Sequence, residues 1–154
     1  VLTELLHSLE TAGQFQTQPN GCGRAQDHTS PPICRMSNTF FQPGESTFEE
    51  MLAGIERGIY LREGHEGYVY PERGQFLCRA HEAQMIEHGR LGEPLRDVSV
   101  SGLLVETLMN IDKVGGDFEM IFPGTCGKSG QGVPTDCGGP HLRVSKMVVG
   151  GESA

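Results

Sequence analysis

No apolar run in this chain approaches 18 residues, so no helix of it is expected to span a membrane. Cations are scarce: Lys and Arg total 12 against 20 Asp and Glu, a net charge of −8. That balance excludes a nucleic-acid backbone as the main partner. The five cysteines include no C-x-x-C pair, and neither a signal-peptide pattern nor the spacing of a small disulfide scaffold accompanies them. Reduced thiols and a cytoplasmic location are the expectation. An initiating Met is also missing. The chain opens on Val1 inside a helical pattern, which reads as a fragment of a longer protein or a mature piece.

What is present suits a single soluble domain of 154 residues. Leu2, Leu5, Leu6 and Leu9 fall at helical spacing between Thr3 as cap and Gly13 as stop. Residues 14–35 are rich in Gln, Gly, Pro and Ser and read as a flexible loop. Residues 36–42 read as a strand, and Pro43-Gly44 as a turn. Ser46 and Glu49 have capping-box spacing before a helix, with Phe48, Met51, Leu52, Ile55 and Ile59 at helical spacing, to about Gly58. From Gly67 to Leu95 short apolar runs alternate with turn signals at Pro71, Gly74 and Gly89, the pattern of antiparallel hairpins, and Val98–Val100 adds another strand. A second amphipathic helix is predicted from Leu103 to Val114, stopped by Gly115-Gly116. Strands are predicted at Phe118–Phe122 and Leu142–Val149. The fold class is therefore α+β, mostly antiparallel sheet with two or three amphipathic helices.

The stretch 122–140, FPGTCGKSGQGVPTDCGGP, is costly to order because glycine loses the most freedom on folding. So side-chain-poor a segment is not expected to build core. Its cysteine, Cys126, lies between small neighbours where a metal or large ligand could reach a thiolate, and Lys128 supplies a cation that favours that form. The competing structural reading is a buried small hydrophobe. Cys137 is a weaker version of the same case. Cys22 and Cys34, twelve apart, lack the paired short spacing of a zinc ribbon and read as loop thiols. His81-Glu82 with His88 does not form a zinc-protease helix: seven residues of helix rise about 10 Å, too far for two ligands of one ion. A polar hairpin surface is the better reading of that trio. Gly127-Lys128-Ser129 lacks the first glycine of a phosphate-binding loop, which rejects a nucleotide site.

Several motifs, in order, resemble the TldD/PmbA family, often labelled modulators of DNA gyrase. They are Arg35-Met36-Ser37-Asn38-Thr39, Pro43-Gly44-x-Ser46-Thr47, Gly74-x-Phe76, Glu82-Ala83-x-x-Ile86-Glu87-x-Gly89, Gly102 and Val114-Gly115-x-Asp117. Cys126-Gly127-Lys128-x-Gly130-Gln131, Val133-Pro134, Gly139-Pro140 and Val149-Gly150-Gly151 complete the series. The likeness covers residues 35–151. It implies a boundary between an N-terminal helix and flexible loop, 1–34, and a C-terminal family domain, 35–154. Residues 14–34 match no motif of the family, and Cys137 stands where an apolar or small residue is expected.

The resemblance further implies a zinc metallopeptidase acting on unstructured peptides, with one zinc per active subunit. In the TldD branch an H-E-x-x-x-H helix supplies two histidines and the water-activating glutamate, and the cysteine matched by Cys126 is the third protein ligand. No H-E-x-x-x-H occurs in this chain, which alone is therefore expected to be inactive. A TldE/PmbA-type partner subunit or a homodimer is implied, with an indirect link to DNA gyrase. The alternative is a non-catalytic TldE/PmbA-like partner or gyrase-modulating binding protein. A third reading makes Cys126 the nucleophile of a cysteine hydrolase.

Overall fold

The computed structural model describes residues 5–120 and 123–152. In chain order the elements are α1 (Leu9–Phe15), β1 (Gly23–Arg24), β2 (Ile33–Cys34), β3 (Thr39–Phe40), α2 (Phe48–Leu52), β4 (Arg57–Tyr70), β5 (Gln75–Glu87) and β6 (Arg90–Leu103). They continue with α3 (Leu104–Met109), β7 (Ile111–Val114), β8 (Gly124–Lys128), β9 (Gln131–Thr135), β10 (Cys137–Gly138), β11 (Leu142–Val144) and β12 (Val148–Glu152). The α+β class with mostly antiparallel pairing is as expected. No helix among the described residues is long and apolar enough to cross a membrane. The chain forms two compact units, one from the segment ending at Gln42 with Phe118–Gly139, the other from Pro43–Asp117 with Pro140 onward.

The second unit is built on an antiparallel sheet of order β12-β6-β5-β4. Its turns follow from the sequence. Gly74 takes a left-handed conformation after Pro71–Arg73, and His88-Gly89 is a two-residue turn with φ of 48° and 74°. Such a turn matches the twist of the strands it joins. The sheet buries Ala83, Ile86, Val98 and Val100, and α2 adds Met51.

Four boundaries here depart from the sequence expectation. The capping box is Thr47 with Glu50, one residue later than read: Glu50 N donates to Thr47 Oγ1 at 3.2 Å and Thr47 N to Glu50 Oε2 at 2.8 Å. Ser46 is committed elsewhere, in a parallel bridge to Gly115. Helix α2 ends at Leu52, not near Gly58, because Gly54 turns left-handed (φ 81°) and the chain from Arg57 pairs with β5. The helix expected over Leu103–Val114 stops at Met109. Ile111–Val114 pairs with Leu142–Val144, and β-branched residues favour that pleated setting. The expected strand Leu142–Val149 is two strands, broken where Ser145 N and Oγ donate to Asn110 O at 2.9 and 3.0 Å.

Arg143 on β11 ties this unit together. Its Nε and Nη2 donate to both carboxylate oxygens of Asp112 at 2.8 and 2.7 Å, and Nη1 to Met51 O at 3.2 Å. The Arg143 hydrogen bonds, against a smaller opposing effect of burial, hold the Asp112 carboxyl below its ordinary range. A depressed folded pKa means that the stabilisation is complete above the unfolded value, about 4, and is lost as pH falls through the folded value. Asp112 is partly exposed, so solvent screening leaves about 0.5–1 kcal/mol. Asp112→Asn is expected to flatten that acid limb in urea denaturation followed against pH.

The first unit is held differently. Helix α1 begins at Leu9, not Leu2, and runs through Gly13; Leu2 and Thr3 lie outside the described residues. Ser8 and Thr11 form its capping box, while Asn20 engages His7 N at 2.8 Å and Leu5 O at 2.6 Å, which withholds that backbone from the helix. Leu5, Leu6 and Leu9 are exposed. The stretch expected to be a flexible loop contains the antiparallel pair β1–β2 and a turn in which Asp27 Oδ1 accepts from Thr29 N at 2.9 Å and Ser30 Oγ at 3.0 Å. The strand expected over 36–42 shortens to Thr39–Phe40, parallel to β10. Of the strand expected at Phe118–Phe122, Glu119 forms only a bridge to Gly139, and residues 121–122 lie outside the described part.

Residues 124–135 form the hairpin β8–β9 around a Ser129-Gly130 turn with φ of 51° and 73°. Contrary to expectation this glycine-rich stretch does build core, since Val133 is 2% exposed. Among the described residues of this unit, those buried beside Val133 and Ala12 are Ser8, Arg35 and Gln131. Polar contacts to main chain, more than apolar burial, therefore order it.

Candidate metal-ligand hairpin

Cys126 lies in the middle of β8, opposite Val133 of β9, and is half-buried. Main chain on both strands is gripped from the segment 24–36. Arg35 N donates to Cys22 O at 2.8 Å, which continues the β1–β2 pairing by one residue and aims the side chain at the hairpin. Arg35 Nη2 then donates to Cys126 O and, at 3.0 Å, to Gln131 O. Gln131 Oε1 accepts from Gln26 N at 3.0 Å, and its Nε2 donates to Pro31 O at 3.0 Å. Gln26 returns the contact, accepting from Gly132 N at 2.6 Å. Arg24 bridges Met36 O and Pro134 O, both at 2.7 Å. The Gln131 amide thus serves as a strut between the hairpin and residues 26–31.

Lys128, two residues on and therefore on the same face of β8, has a different engagement from the one expected: its Nζ donates to Cys34 O at 2.9 Å. Cys34 Sγ donates to Leu6 O at 3.1 Å, and Cys22 contacts Asn20 O. Cys137 is exposed on β10. His81 and Glu82 are exposed on β5, and His88 sits in the hairpin turn with Nδ1 2.7 Å from Glu56 Oε1, so a polar hairpin surface is what the structure shows. Burial pushes the Cys78 thiol up.

Sequence reasoning missed a second cluster, in the other unit. His141 Nδ1 meets Asp117 Oδ2, its Nε2 lies 2.9 Å from Tyr60 Oη, and its ring packs on Phe48 with centroids 4.9 Å apart. Burial raises the Asp117 carboxyl, but the hydrogen bonds from the His141 side chain and backbone outweigh it and leave the pKa lowered. With both ring nitrogens engaged, this imidazole offers no lone pair to a metal as arranged. No local spacing signals the cluster, because Asp117 and His141 stand 24 residues apart.

Among the described residues no three of His, Cys, Asp and Glu gather to hold a metal ion. Cys126 fits the part of one donor in a shared site. Its sulfur is of the soft class that suits zinc, and its backbone is fixed by the Arg35 contact. Any further donors must come from outside this constellation.

Comparison with known proteins agrees with the motif series. The sequence profile of the PmbA/TldA metallopeptidase C-terminal domain matches residues 1–151 and so includes the segment 14–34 that carries no recognised motif. A metalloprotease of Methanothermobacter thermautotrophicus is 46% identical over 151 residues, 98% of this chain and 33% of that protein. A zinc metalloprotease TldD homolog of Saccharolobus solfataricus is 34% identical over 151 residues, 98% of this chain and 34% of its own length. This chain thus spans about a third of the length of these curated relatives. Among solved structures, a Thermotoga maritima protein described as a candidate modulator of a DNA gyrase superposes with a TM-score of 0.69 at 25% identity, covering 97% of this chain and 31% of that one. TldE of Thermococcus kodakarensis shares the fold with a TM-score of 0.66 at 17% identity, over 91% of this chain and 29% of that one. The chain belongs to the PmbA/TldA metallopeptidase C-terminal domain family.

Proposed function

We propose that this chain is the zinc-ligand-bearing C-terminal part of a TldD-type metallopeptidase that hydrolyses unstructured peptides in the cytoplasm. The observation that carries the reading is Cys126, held on a braced hairpin within a match that runs over residues 1–151. Cys126 supplies one thiolate, and the two histidines and the glutamate implied by the family come from a preceding H-E-x-x-x-H helix. Zinc, when bound, supplies an open coordination position, lowers the pKa of its water and polarises the scissile carbonyl. The contribution of this chain is to fix the position of one donor. A TldE/PmbA-type partner subunit, or a second copy, completes the assembly.

The second reading, a non-catalytic TldE/PmbA-like partner or gyrase-modulating binding protein, is favoured by the fold shared with TldE. An H-E-x-x-x-H in the full-length gene product separates the two. The functional test uses that full-length protein with an unfolded peptide as substrate. A strong chelator is expected to abolish hydrolysis and added zinc to restore it. Hydrolysis that survives complete metal removal, or that follows thiol alkylation and ignores chelation, overturns the peptidase reading in favour of a cysteine hydrolase.

A further inference from the structure

Arg35 is 1% exposed and has the only side chain among the described residues that is both large and fully buried. No carboxylate pairs with it among those residues, and its Nε and Nη1 have no hydrogen-bond partner there. A buried, unpaired cation is strongly unfavourable unless something else compensates it. What it does touch is specific: the carbonyls of Cys126 and Gln131, one on each strand of the hairpin and both through Nη2. The guanidinium therefore clamps the main chain of the proposed donor residue.

We infer that Arg35 is a positioning residue for the Cys126 sulfur: its buried guanidinium grips the main-chain carbonyls of Cys126 and Gln131 across the hairpin. This rests on Cys126 as a metal ligand. The clamp fixes the strand segment from which the thiolate projects. Groups that orient metal ligands typically change metal affinity tenfold to a hundredfold when removed. Lysine is a poor replacement for the clamp, because its ammonium sits on a flexible stem, whereas the planar guanidinium holds Nη2 between the two carbonyls.

The test uses the full-length protein and the variants Arg35→Lys, Arg35→Met and Cys126→Ser. Zinc affinity is read by chelator competition, and sulfur ligation by the thiolate-to-metal charge-transfer band of the cobalt-substituted protein. Arg35→Lys is expected to weaken zinc at least about tenfold and to shift that band while circular dichroism remains that of the folded protein. Arg35→Met is expected to weaken it further. Should neither variant fold, the wild-type protein still decides: with arginine labelled, the Arg35 Nε–H resonance is expected to shift when zinc is removed. Folded Arg35 variants with unchanged affinity and band, or a resonance indifferent to zinc, overturn the inference. If Cys126→Ser abolishes the band and the Arg35 variants leave it intact, only the positioning role fails. If Cys126→Ser keeps the band, the zinc reading of Cys126 fails with it.

Discussion

Replacing Cys126 by alanine in the full-length protein is expected to give a folded product with no bound zinc and no peptidase activity. The two effects separate because of where the hairpin contacts fall. Arg35 grips the carbonyl of residue 126, not its sulfur, so alanine keeps that hydrogen bond. Gln131, Gln26 and Arg24 likewise act through main chain or through each other. The stability loss on removing one half-buried sulfur is about 1 kcal/mol. On the proposed reading the metal loses one of three protein donors, and with it the Lewis acid on which hydrolysis would depend. Several kcal/mol of transition-state stabilisation corresponds to a rate loss of about a thousandfold or more. Metal analysis, urea denaturation and peptide hydrolysis check the three parts. A variant that keeps both zinc and activity removes Cys126 from the mechanism.

The turns at Gly74 and Gly89 were legible before the structure; the Ser129-Gly130 turn and the ends of the helices were not. Gly74 and His88-Gly89 mark their turns because the chain there takes φ values that few other residues tolerate. Helix length failed where a short apolar run satisfies two periods at once. Leu103, Leu104, Leu108, Ile111 and Val114 suit one helix face on paper. The strand that claims Ile111–Val114 is Leu142–Val144, some 30 residues on, and nothing local announces it. The same holds for Ile59, read into a helix but paired with Met85.

The candidate site divides along the same line. Cys126 stood out because its glycine-flanked motif is local. Its support did not, since residues 24–35 close a stretch, 14–35, whose Gln, Gly, Pro and Ser content reads as a loop, and they make their contacts with partners about 100 residues away. Arg35 lay inside a recognised motif, yet charge alone gave no reason to expect a buried arginine. Val133 was masked by its glycine neighbours.

The largest loss of stability is expected from Gly44→Ala. The sequence reads Pro43-Gly44 as a turn, but in the structure Gly44 is a point of contact between two stretches of main chain. Gly44 N donates to Gly115 O at 2.7 Å, Ser46 N to Val114 O at 3.2 Å, and Gly116 N to Ser46 O at 3.0 Å. A Cβ at residue 44 would run into Val114 O and lie 2.8 Å from Val114 Cβ. Val114 cannot retreat easily, because it is paired with Leu142 on β11 and Gly115 N donates to His141 O at 2.8 Å. The methyl therefore forces apart residues 44–46 and 114–116, at a cost of about 3 kcal/mol. Hydrogen exchange at the amides of Gly44, Ser46 and Gly116 is expected to accelerate about a hundredfold, the rate equivalent of that opening energy. Gly64→Ala is the matched control on β4, since a Cβ there meets nothing within 4 Å, and it is expected to stay within about 0.5 kcal/mol of the parent. Equal exchange rates in the two variants would mean that the close approach at Gly44 does not exist in solution. The pairing that brings the Pro43-Gly44 and Val114-Gly115-x-Asp117 motifs together would then need another basis.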